Sequence, residues 1–404
     1  MRSKLEDNRL TLYLEGRLGI DNAQAVLDEL MDAVAANPDA DVVLDAGDLE
    51  YISSSGLRTL VELFKKTEPL PIVNVCPDVY NVFEITGFTT LTGILRKPRE
   101  ISLDSYEVIG QGASATVYRM DEETVVKIFD PAIGIERIER ERENAKAAFV
   151  SGLPTAIPFD TVHCSDGYGT VYELVDAVTL SRFMLDNPDK ALEYRAKYAC
   201  VMKDMHRVSL PDTFQSVNAL YKKWVRSLDA YLADGEIESL VRFIDAIPTH
   251  DGVVHGDCHV GNILVQHGEL VLIDMADISR GHPFFDIGSE YFHYKVAAHV
   301  DGVRPIIMRS VLGFVPDDND MTDAIWDALM QGYFDPESEA DSRAIDDIAR
   351  GGGLLRLVAL MAKHAQLSDD VKRAGIDYAR QHFFPYIDEY IEKLGMLDRY
   401  FHTS

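Results

Sequence analysis

Residues 253–265, with the sequence VVHGDCHVGNILV, constrain the fold of this chain more than any other segment. Apolar residues on both sides of a polar loop predict two short buried strands, and the loop between them carries Asp257 and Asn262. Twelve residues after Asn262, a further apolar segment ends in Asp274. The pattern therefore predicts a cluster of two carboxylates and one amide at the ends of short strands.

These oxygen-bearing side chains are the set that phosphoryl transfer requires. One aspartate orients an acceptor hydroxyl and takes its proton, while an amide oxygen and a second carboxylate hold Mg²⁺ on nucleotide phosphates. A merely structural polar turn is one alternative. A zinc site that uses His255, Cys258 and His259 is another. Gly256 argues against zinc, because it indicates a loop, and a four-residue spacing places two histidines on one side only in a helix.

The segment HGDCHVGN (255–262), followed by Ile273 and Asp274, resembles the catalytic loop and metal-binding aspartate of the aminoglycoside phosphotransferase and choline kinase superfamily. The resemblance covers roughly residues 106–290. It implies a protein-kinase-like fold, ATP as the donor, and Asp257 as the catalytic base or hydroxyl-orienting residue. It also implies that Asn262 and Asp274 are the Mg²⁺ ligands.

We also assign roles to four further residues in or near this segment. His255 and His259 frame the loop, and we expect structural hydrogen bonds from both. Asp286, in the sequence PFFDIG (283–288), resembles a downstream structural aspartate, and we expect it to cap backbone groups of the loop. Asp277 either adds a carboxylate behind the metal ligands or faces solvent.

A glycine-containing segment upstream predicts a phosphate-binding loop. Residues 109–118 read IGQGASATVY, in which Gly110 and Gly112 let backbone N–H groups approach phosphate oxygens. Ala115 stands where the third glycine of the kinase pattern would be. The loop therefore resembles the kinase pattern only in part.

Lys127, flanked by apolar residues in VVKI, resembles the strand lysine that contacts the α and β phosphates. A solvated edge residue is the alternative. This lysine requires a carboxylate from the charged helix that follows, for which Glu136, Glu139, Glu141 and Glu143 compete. We expect Glu143 to supply it, because it lies on the less charged helix face. Residues 172–175 (YELV) resemble the hinge that meets adenine, which points to Glu173 and Val175; an interlobe connection is the alternative.

The N-terminal residues alternate between predicted strands and helices. The segment YISSSGL (51–57), after VVLD (42–45), resembles the signature of the STAS domain, which occurs in sulfate transporters and anti-sigma-factor antagonists. Ser54 matches the regulatory phosphorylation position, and Ser53 replaces the family aspartate. The resemblance implies a protein partner and a phosphosite at Ser54, where a helix N-terminus accommodates phosphate. Helix capping by these serines is the alternative.

These signals predict an α/β STAS-like domain followed by an α+β two-lobe, protein-kinase-like domain. The division is 1–98 for the first domain, 99–105 for a linker and 106–404 for the second, with an N-lobe at 106–175 and a helical C-lobe at 176–404.

The last part of the chain, residues 290–404, carries no transferable motif, although we expect it to supply the acceptor pocket. Trp326 and Tyr333 are expected to pack. Residues 351–353 (GGG) are expected to form a turn.

Composition excludes several classes of protein. The net charge of −28 and the absence of a basic stripe exclude a nucleic-acid binder. No apolar run is long enough for a membrane helix. Four scattered cysteines without a C-x-x-C pair are typical of a reducing cytoplasm.

The sequence therefore predicts a cytoplasmic, ATP- and Mg²⁺-dependent phosphotransferase that acts on a small-molecule hydroxyl of an aminoglycoside, choline-like amine or sugar. Two alternatives stay open. The protein could be a protein serine kinase that acts on Ser54 or on a partner, or a non-catalytic ATP-binding switch. Gly256, where protein kinases carry arginine, favours the small-molecule reaction.

Overall fold

The computed structural model describes residues 2–6, 8–67, 69–112, 115–175, 177–364 and 367–401. The chain divides into two compact units, of which the first holds residues 1–104 and 160–169, and the second holds 105–159 and 170–404. Within the described residues, none of the helices combines the length and the apolar character needed to cross a membrane.

The first unit is an α/β domain with helices between its strands. Its elements are β1 (Ser3–Glu6), β2 (Arg9–Leu18), α1 (Ala23–Ala35), β3 (Asp41–Ile52), α2 (Ser54–Phe64), β4 (Ile72–Val75), α3 (Pro77–Ile85), β5 (Ile94–Arg96) and β6 (Arg99–Glu100).

Strands β1 to β5 form one sheet in chain order, with β1 antiparallel to β2 and the other neighbours parallel. Parallel neighbours need crossover connections, which the helices supply. Along β2 the apolar residues Leu10, Leu12 and Leu14 are buried and alternate with more exposed residues, as the sequence pattern predicts. They pack with Leu60 and Phe83 from the helices to form the core of this unit.

The second unit begins with a small sheet and one helix and continues as a mostly helical body. Its elements are β7 (Glu107–Gln111), β8 (Ala115–Arg119), β9 (Thr124–Phe129), α4 (Ile135–Val150), β10 (Pro158–Cys164), β11 (Gly167–Glu173), β12 (Val178–Thr179), α5 (Leu180–Asp186), α6 (Ala191–Met205), α7 (Val217–Arg226), α8 (Asp234–Ala246), β13 (Val253–Val254), β14 (Ile263–Gln266), β15 (Glu269–Leu272), β16 (Ser279–Arg280), α9 (Phe284–Tyr291), α10 (Arg304–Leu312), α11 (Asp320–Leu329), α12 (Glu339–Lys363), α13 (Asp369–His382), α14 (Ile387–Leu394) and α15 (Leu397–Tyr400).

The strand order of this sheet is β10-β11-β9-β8-β7, and residues 160–169, which form most of β10 and the start of β11, are counted with the first unit. The three strands predicted after Tyr106 are present as β7, β8 and β9, which pair antiparallel. Helix α4 follows them, and the remainder is mainly helical. The predicted order of architectures is confirmed: an α/β domain comes first, and an α+β unit with a sheet, one helix and a mainly helical remainder follows.

Two short antiparallel pairs interrupt the helical body. Strands β14 and β15 form a hairpin, and β13 pairs with β16. The turn of the hairpin is His267-Gly268, and both residues have positive φ, at 51° and 89°. A two-residue turn with positive φ at both positions matches the twist of the strands that it joins. The hairpin carries the residues that follow the predicted catalytic loop.

The expected turn at residues 351–353 was wrong, because all three glycines lie in the buried middle of α12. A Cβ on Gly352 would lie 2.8 Å from the Cα of Gly288 in α9. A Cβ on Gly288 would lie 2.6 Å from the carbonyl carbon of Gly352. The missing side chains let α9 and α12 cross in close contact, and this packing offsets the helix penalty of glycine, about 1 kcal/mol per residue.

Candidate active site

The catalytic loop, defined here as residues 255–262, follows β13 and is held in shape by Gly256 and Asp286. Gly256 has a φ of +82°, and a Cβ there would lie 2.9 Å from the backbone oxygen of Asp277. Asp286, at the start of α9, accepts hydrogen bonds from the backbone N–H groups of His255 and Gly256 at 2.7 and 2.8 Å. The expectation that Asp286 caps the loop is confirmed.

Asp286 is itself held by a buried hydrogen-bond chain that the sequence did not reveal. Its carboxylate lies 3.1 Å from Nε2 of His206, and Nδ1 of the same ring lies 2.7 Å from the Tyr333 hydroxyl. Tyr333 stands on a π-helical turn, Met330–Phe334. The expectation that Tyr333 packs was therefore incomplete, since its hydroxyl also supports the catalytic loop from behind.

The hairpin of β14 and β15 brings Asn262 next to the segment that carries Asp274. Ile263 pairs with Leu272, and the Ile273 N–H donates to the Asn262 carbonyl at 3.0 Å. The Asn262 side-chain NH₂ donates to the Asp257 carbonyl at 3.0 Å. Because its nitrogen is used inside the loop, the amide of Asn262 offers its oxygen as the remaining group.

Lys127, on β9, lies between two carboxylates. Its Nζ is 2.7 Å from Oε1 of Glu141 and 3.2 Å from Oδ1 of Asp274. Asp274 has left-handed backbone angles, φ 64° and ψ 64°, at the end of the hairpin. Three residues far apart in sequence thus meet at one point, as the sequence predicted for Lys127 and Asp274.

The expectation that Glu143 pairs with Lys127 was wrong. Glu143 is 55% exposed and bonds Arg142, whereas the Glu141 side chain is 7% exposed and faces β9. Positions two residues apart in a helix point about 200° apart, so the two glutamates cannot share a face. The spacing to Ala147 and Val150, on which the choice of Glu143 depended, was misleading because Val150 is exposed at the helix end.

Electrostatics in this cluster favour a charged lysine and a charged Asp274. Burial lowers the pKa of the Lys127 ammonium, but the charges of Asp274 and Glu141 outweigh it, and the pKa lies above its ordinary value. Lys127 in turn holds the pKa of Asp274 below its usual range. Burial raises the pKa of Glu141 against the opposing charge of Lys127. The site therefore presents one cation and at least one anion at neutral pH.

Asp257 meets a residue that no sequence motif marked. The Nη2 group of Arg356, on α12, donates to Oδ1 of Asp257 at 2.7 Å, and Nε2 of His293 lies 3.7 Å from the same oxygen. Burial alone would raise the pKa of Asp257, but Lys363 and Arg356 outweigh it and hold that pKa well below its usual range. Asp257 is therefore an anion when the ligand-free protein is near neutral pH.

Among the described residues, one group of side chains has donor atoms close enough together to hold a metal, namely Asp257, His259 and His293. The Arg356 guanidinium already bonds Asp257 there. Nδ1 of His259 accepts the Gly261 N–H at 3.1 Å, so in the neutral ring the other nitrogen carries the proton. This arrangement fits a hydrogen-bond network. The predicted zinc ligands His255, Cys258 and His259 do not form such a group among the described residues.

The remaining residues of the predicted zinc set have other roles. Cys258 is buried, and its Sγ accepts a hydrogen bond from the Tyr198 hydroxyl at 3.8 Å. His255 places Nε2 at 3.2 Å from the Ile273 carbonyl, which ties the loop to the hairpin. The expected structural hydrogen bonds of His255 and His259 are both present.

The expected nucleotide loop lies at the turn from β7 to β8. Gly110 stands at a register shift of this pair, and the Gly112 N–H donates to the Ala115 carbonyl at 2.8 Å. The tip of the loop, Ala113 and Ser114, lies outside the described residues.

The expected hinge, residues 172–175, begins in the last two residues of β11 and continues beyond it. The Glu173 N–H donates to the Ile157 carbonyl at 2.9 Å, and the Leu174 N–H donates to the Glu123 carbonyl at 2.7 Å. These bonds fix the strand end whose Glu173 and Val175 were predicted to meet adenine.

Asp277 is half-buried and does not simply face solvent. Its carboxylate forms an ion pair with Lys363, at the end of α12. Of the two expectations for Asp277, the structure supports a carboxylate that lies behind the site and not one that faces solvent.

In the first unit, Ser53 caps α2 by accepting the Gly56 N–H at 3.3 Å. Ser54 is the first residue of this helix and is exposed. The capping role thus belongs to Ser53, the residue that replaces the family aspartate.

Two protein-family models match this chain, each over a different part. Residues 2–100 match the STAS domain, and residues 105–305 match the phosphotransferase enzyme family. The chain has a STAS domain in its first part and a domain of the phosphotransferase enzyme family in its second. The resemblances on which the sequence analysis depended are confirmed.

A curated relative matches the STAS part. BtrV of Bordetella bronchiseptica, which is named an anti-sigma factor antagonist, is 36% identical over 89 residues, which are 21% of this chain and 76% of BtrV. Similar solved structures include a choline/ethanolamine kinase family protein from Mesorhizobium loti, at 14% identity over 72% of this chain and 92% of that one, with a TM-score of 0.48. The streptomycin–ATP–APH(2″)-IIa ternary complex is 16% identical over 70% of this chain and 92% of that one, with a TM-score of 0.45.

Proposed function

We propose that this protein is a cytoplasmic phosphotransferase that moves the γ-phosphate of ATP, with Mg²⁺, to a hydroxyl of a small molecule. One observation carries the proposal: Lys127, from the small sheet, meets Asp274 at the hairpin end, beside the loop that holds Asp257 and Asn262. This is the set of groups that positions a triphosphate and an acceptor for transfer.

The donor groups fit Mg²⁺. Asn262 is anchored through its nitrogen and offers its amide oxygen, and Asp274 offers a carboxylate that is 42% exposed. Oxygen ligands of this kind suit Mg²⁺, which retains waters and takes further oxygens from phosphates. When bound, the ion would neutralise charge that develops on the phosphates.

ATP would extend from the β7–β8 turn to the hinge. Gly110 and Gly112 would approach the phosphates, and Lys127 would pair with them in place of its contact with Asp274. Since the Leu174 N–H is already bonded to Glu123, we assign adenine recognition to the Glu173 carbonyl and the Val175 N–H.

Asp257 would act on the acceptor. Its carboxylate orients the hydroxyl, whose oxygen forms a bond to the γ-phosphorus while the bond from that phosphorus to the ADP oxygen breaks. The hydroxyl proton passes to Asp257 and then to solvent. A carboxylate that is ionised at neutral pH can fulfil this role, and the charges of Arg356 and Lys363 favour that state.

Two features support a small-molecule acceptor rather than a protein substrate. Only nine residues, 275–283, separate Asp274 from the start of α9 at Phe284, which leaves no length for an activation loop. Gly256 packs against the backbone of Asp277, in the position where protein kinases carry arginine.

The test is to incubate the protein with γ-labelled ATP, Mg²⁺ and a metabolite pool that contains aminoglycosides, choline-like amines and sugars. An Asp257→Asn variant is the control. We expect label on a small molecule with the unsubstituted protein and none with the variant. Label on Ser54 would instead identify a protein kinase, and ATP binding without any transfer would identify a nucleotide-binding switch.

We also propose that the STAS domain binds a protein partner and that phosphorylation of Ser54 regulates this binding. Ser54 is exposed at the N-terminus of α2, where free backbone N–H groups and the helix dipole favour a phosphate. Affinity capture with the unsubstituted protein and with Ser54→Asp, followed by mass spectrometry, tests the proposal. The same partners at the same yield with both proteins would contradict the regulatory role.

A further inference from the structure

Arg356 is the buried cation that lies closest to the proposed catalytic carboxylate. Its side chain is 1% exposed, and its Nη2 lies 2.7 Å from Oδ1 of Asp257. Asp257 itself is 29% exposed, so one side of the carboxylate faces the protein interior and the other remains accessible. A buried arginine is tolerated only when its charge is compensated, and Asp257 supplies that compensation.

Helix α12 presents two cations on one face to the site. Arg356 and Lys363 are seven residues apart, which corresponds to about two helical turns, so they point the same way. Lys363 pairs with Asp277, in the turn that follows Asp274. The helix therefore holds a carboxylate of the catalytic loop and a carboxylate of the metal-binding segment at once.

The glycine run determines how close this helix comes. Gly352 is one turn before Arg356 and lies against Gly288 of α9, the helix whose first turn carries Asp286. Because Asp286 bonds the catalytic-loop backbone, α9 connects the loop to α12. Side chains at this crossing would move α12 away, and Arg356 with it.

We propose that Arg356 is a positioning residue, which holds the Asp257 carboxylate in one rotation so that the same oxygen meets the acceptor hydroxyl in every turnover. The inference depends on the proposed function, in which Asp257 acts on the acceptor. Among the described residues, the hydrogen bonds of Lys127, Asn262 and Asp274 do not involve Arg356. Arg356 therefore acts on the transfer step and not on ATP binding.

The experiment compares Arg356→Met, Arg356→Lys and a matched control, Arg350→Met, on the exposed side of the same helix. Total ATP consumption is measured with Mg²⁺ and the mixed acceptor pool, and the affinity for Mg²⁺-AMP-PNP is measured by calorimetry. A misplaced reacting group lowers kcat by roughly 10- to 100-fold. We expect that loss in Arg356→Met, with the AMP-PNP Kd within about twofold, because binding and positioning are separate contributions.

The lysine variant and the control sharpen this expectation. Arg356→Lys keeps the charge and one donor toward Oδ1, so we expect it to recover kcat to within roughly fivefold of the unsubstituted protein. Arg350→Met should leave both quantities unchanged. If Arg356→Met folds poorly, Arg356→Gln, which keeps a donor without the charge, should show a lowered kcat at an unchanged Kd.

Three results would overturn the inference. An unchanged kcat in Arg356→Met, a parallel loss of kcat and AMP-PNP affinity, or a loss in Arg356→Lys as large as in Arg356→Met would each exclude a positioning role. The absence of ATP turnover in the unsubstituted protein would refute the proposed function itself, and this inference with it. Turnover that is normal in all variants would refute the inference alone.

Discussion

Replacement of Glu141 by glutamine should weaken the use of ATP far more than the same change at Glu143. Glu141 lies 2.7 Å from the Lys127 ammonium with a side chain that is 7% exposed, whereas Glu143 bonds Arg142 and is 55% exposed. Glutamine has the same shape but no charge. The pair therefore compares a buried carboxylate with a surface carboxylate on one helix.

The magnitude follows from the type of contact. A hydrogen bond to a charged group contributes about 1.5–3 kcal/mol, and the neutral glutamine amide keeps a bond at the low end of that range, so Glu141→Gln loses about 1.5 kcal/mol. Asp274 remains beside Lys127 and keeps the ammonium paired. Since each 1.36 kcal/mol is a factor of ten, kcat/KM for ATP should fall by roughly tenfold. A surface pair contributes about 0–1 kcal/mol, so Glu143→Gln should stay within about twofold.

Steady-state kinetics with ATP as the varied substrate, together with AMP-PNP titration, measures both variants. The expected order is a clear loss for Glu141→Gln and none for Glu143→Gln. An equal effect of the two substitutions, or a larger one at Glu143, would refute the assignment of Glu141 as the partner of Lys127.

Three further substitutions test the surroundings of the site. Asp286→Asn and His282→Asn are measured by urea unfolding, monitored by the fluorescence of the two tryptophans, which both lie in the second unit, and Gly352→Ala is measured by kinetics. Asp286→Asn turns an amide group toward a buried backbone N–H, so it should lower the unfolding free energy by about 3 kcal/mol, and an unchanged midpoint would contradict the capping role. Gly352→Ala should lower kcat without loss of AMP-PNP affinity, because a Cβ there would lie 2.8 Å from Gly288, and normal kcat would contradict the role of the crossing. Burial lowers the pKa of His282 to about 3. Below pH 6.5 His282 binds a proton in the unfolded protein but not in the folded protein. The free energy of unfolding therefore decreases as the pH falls from 6.5 toward 3. Between pH 7 and pH 5 the unfolding free energy of the unsubstituted protein should decrease by about 2 kcal/mol more than that of the His282→Asn variant. Equal decreases would contradict the lowered pKa of His282.

The sequence predicted the parts of the site that depend on local pattern. Asp257 and Asp274 follow short apolar strands, and Asn262 directly precedes one. The register of β14 with β15 brings Asn262 and Asp274 together as expected. Lys127 was found in the same way, by its apolar flanks on a strand. Periodicity identifies such elements because burial alternates along a strand.

The residues that the sequence did not predict reach the site from distant helices. Arg356 lies about a hundred residues beyond Asp257, and Tyr333 lies between them in sequence. Both are in segments without any motif, so only tertiary packing brings them to the site. Three consecutive glycines ordinarily indicate a turn, and only the facing Gly288 explains why they occur inside a helix. The prediction of Glu143 instead of Glu141 was wrong for a related reason. The sequence does not show which face of α4 packs against β9.

The central claim is that Lys127, Asn262 and Asp274 surround the phosphates of a nucleotide whose γ-phosphate faces Asp257. A crystal structure of the protein with AMP-PNP and Mg²⁺ tests it most directly. We expect the ion to contact oxygens of Asn262 and Asp274 and Lys127 to bond a phosphate oxygen. A triphosphate bound anywhere else on the second unit, or an ion held by the histidines beside Asp257, would contradict it.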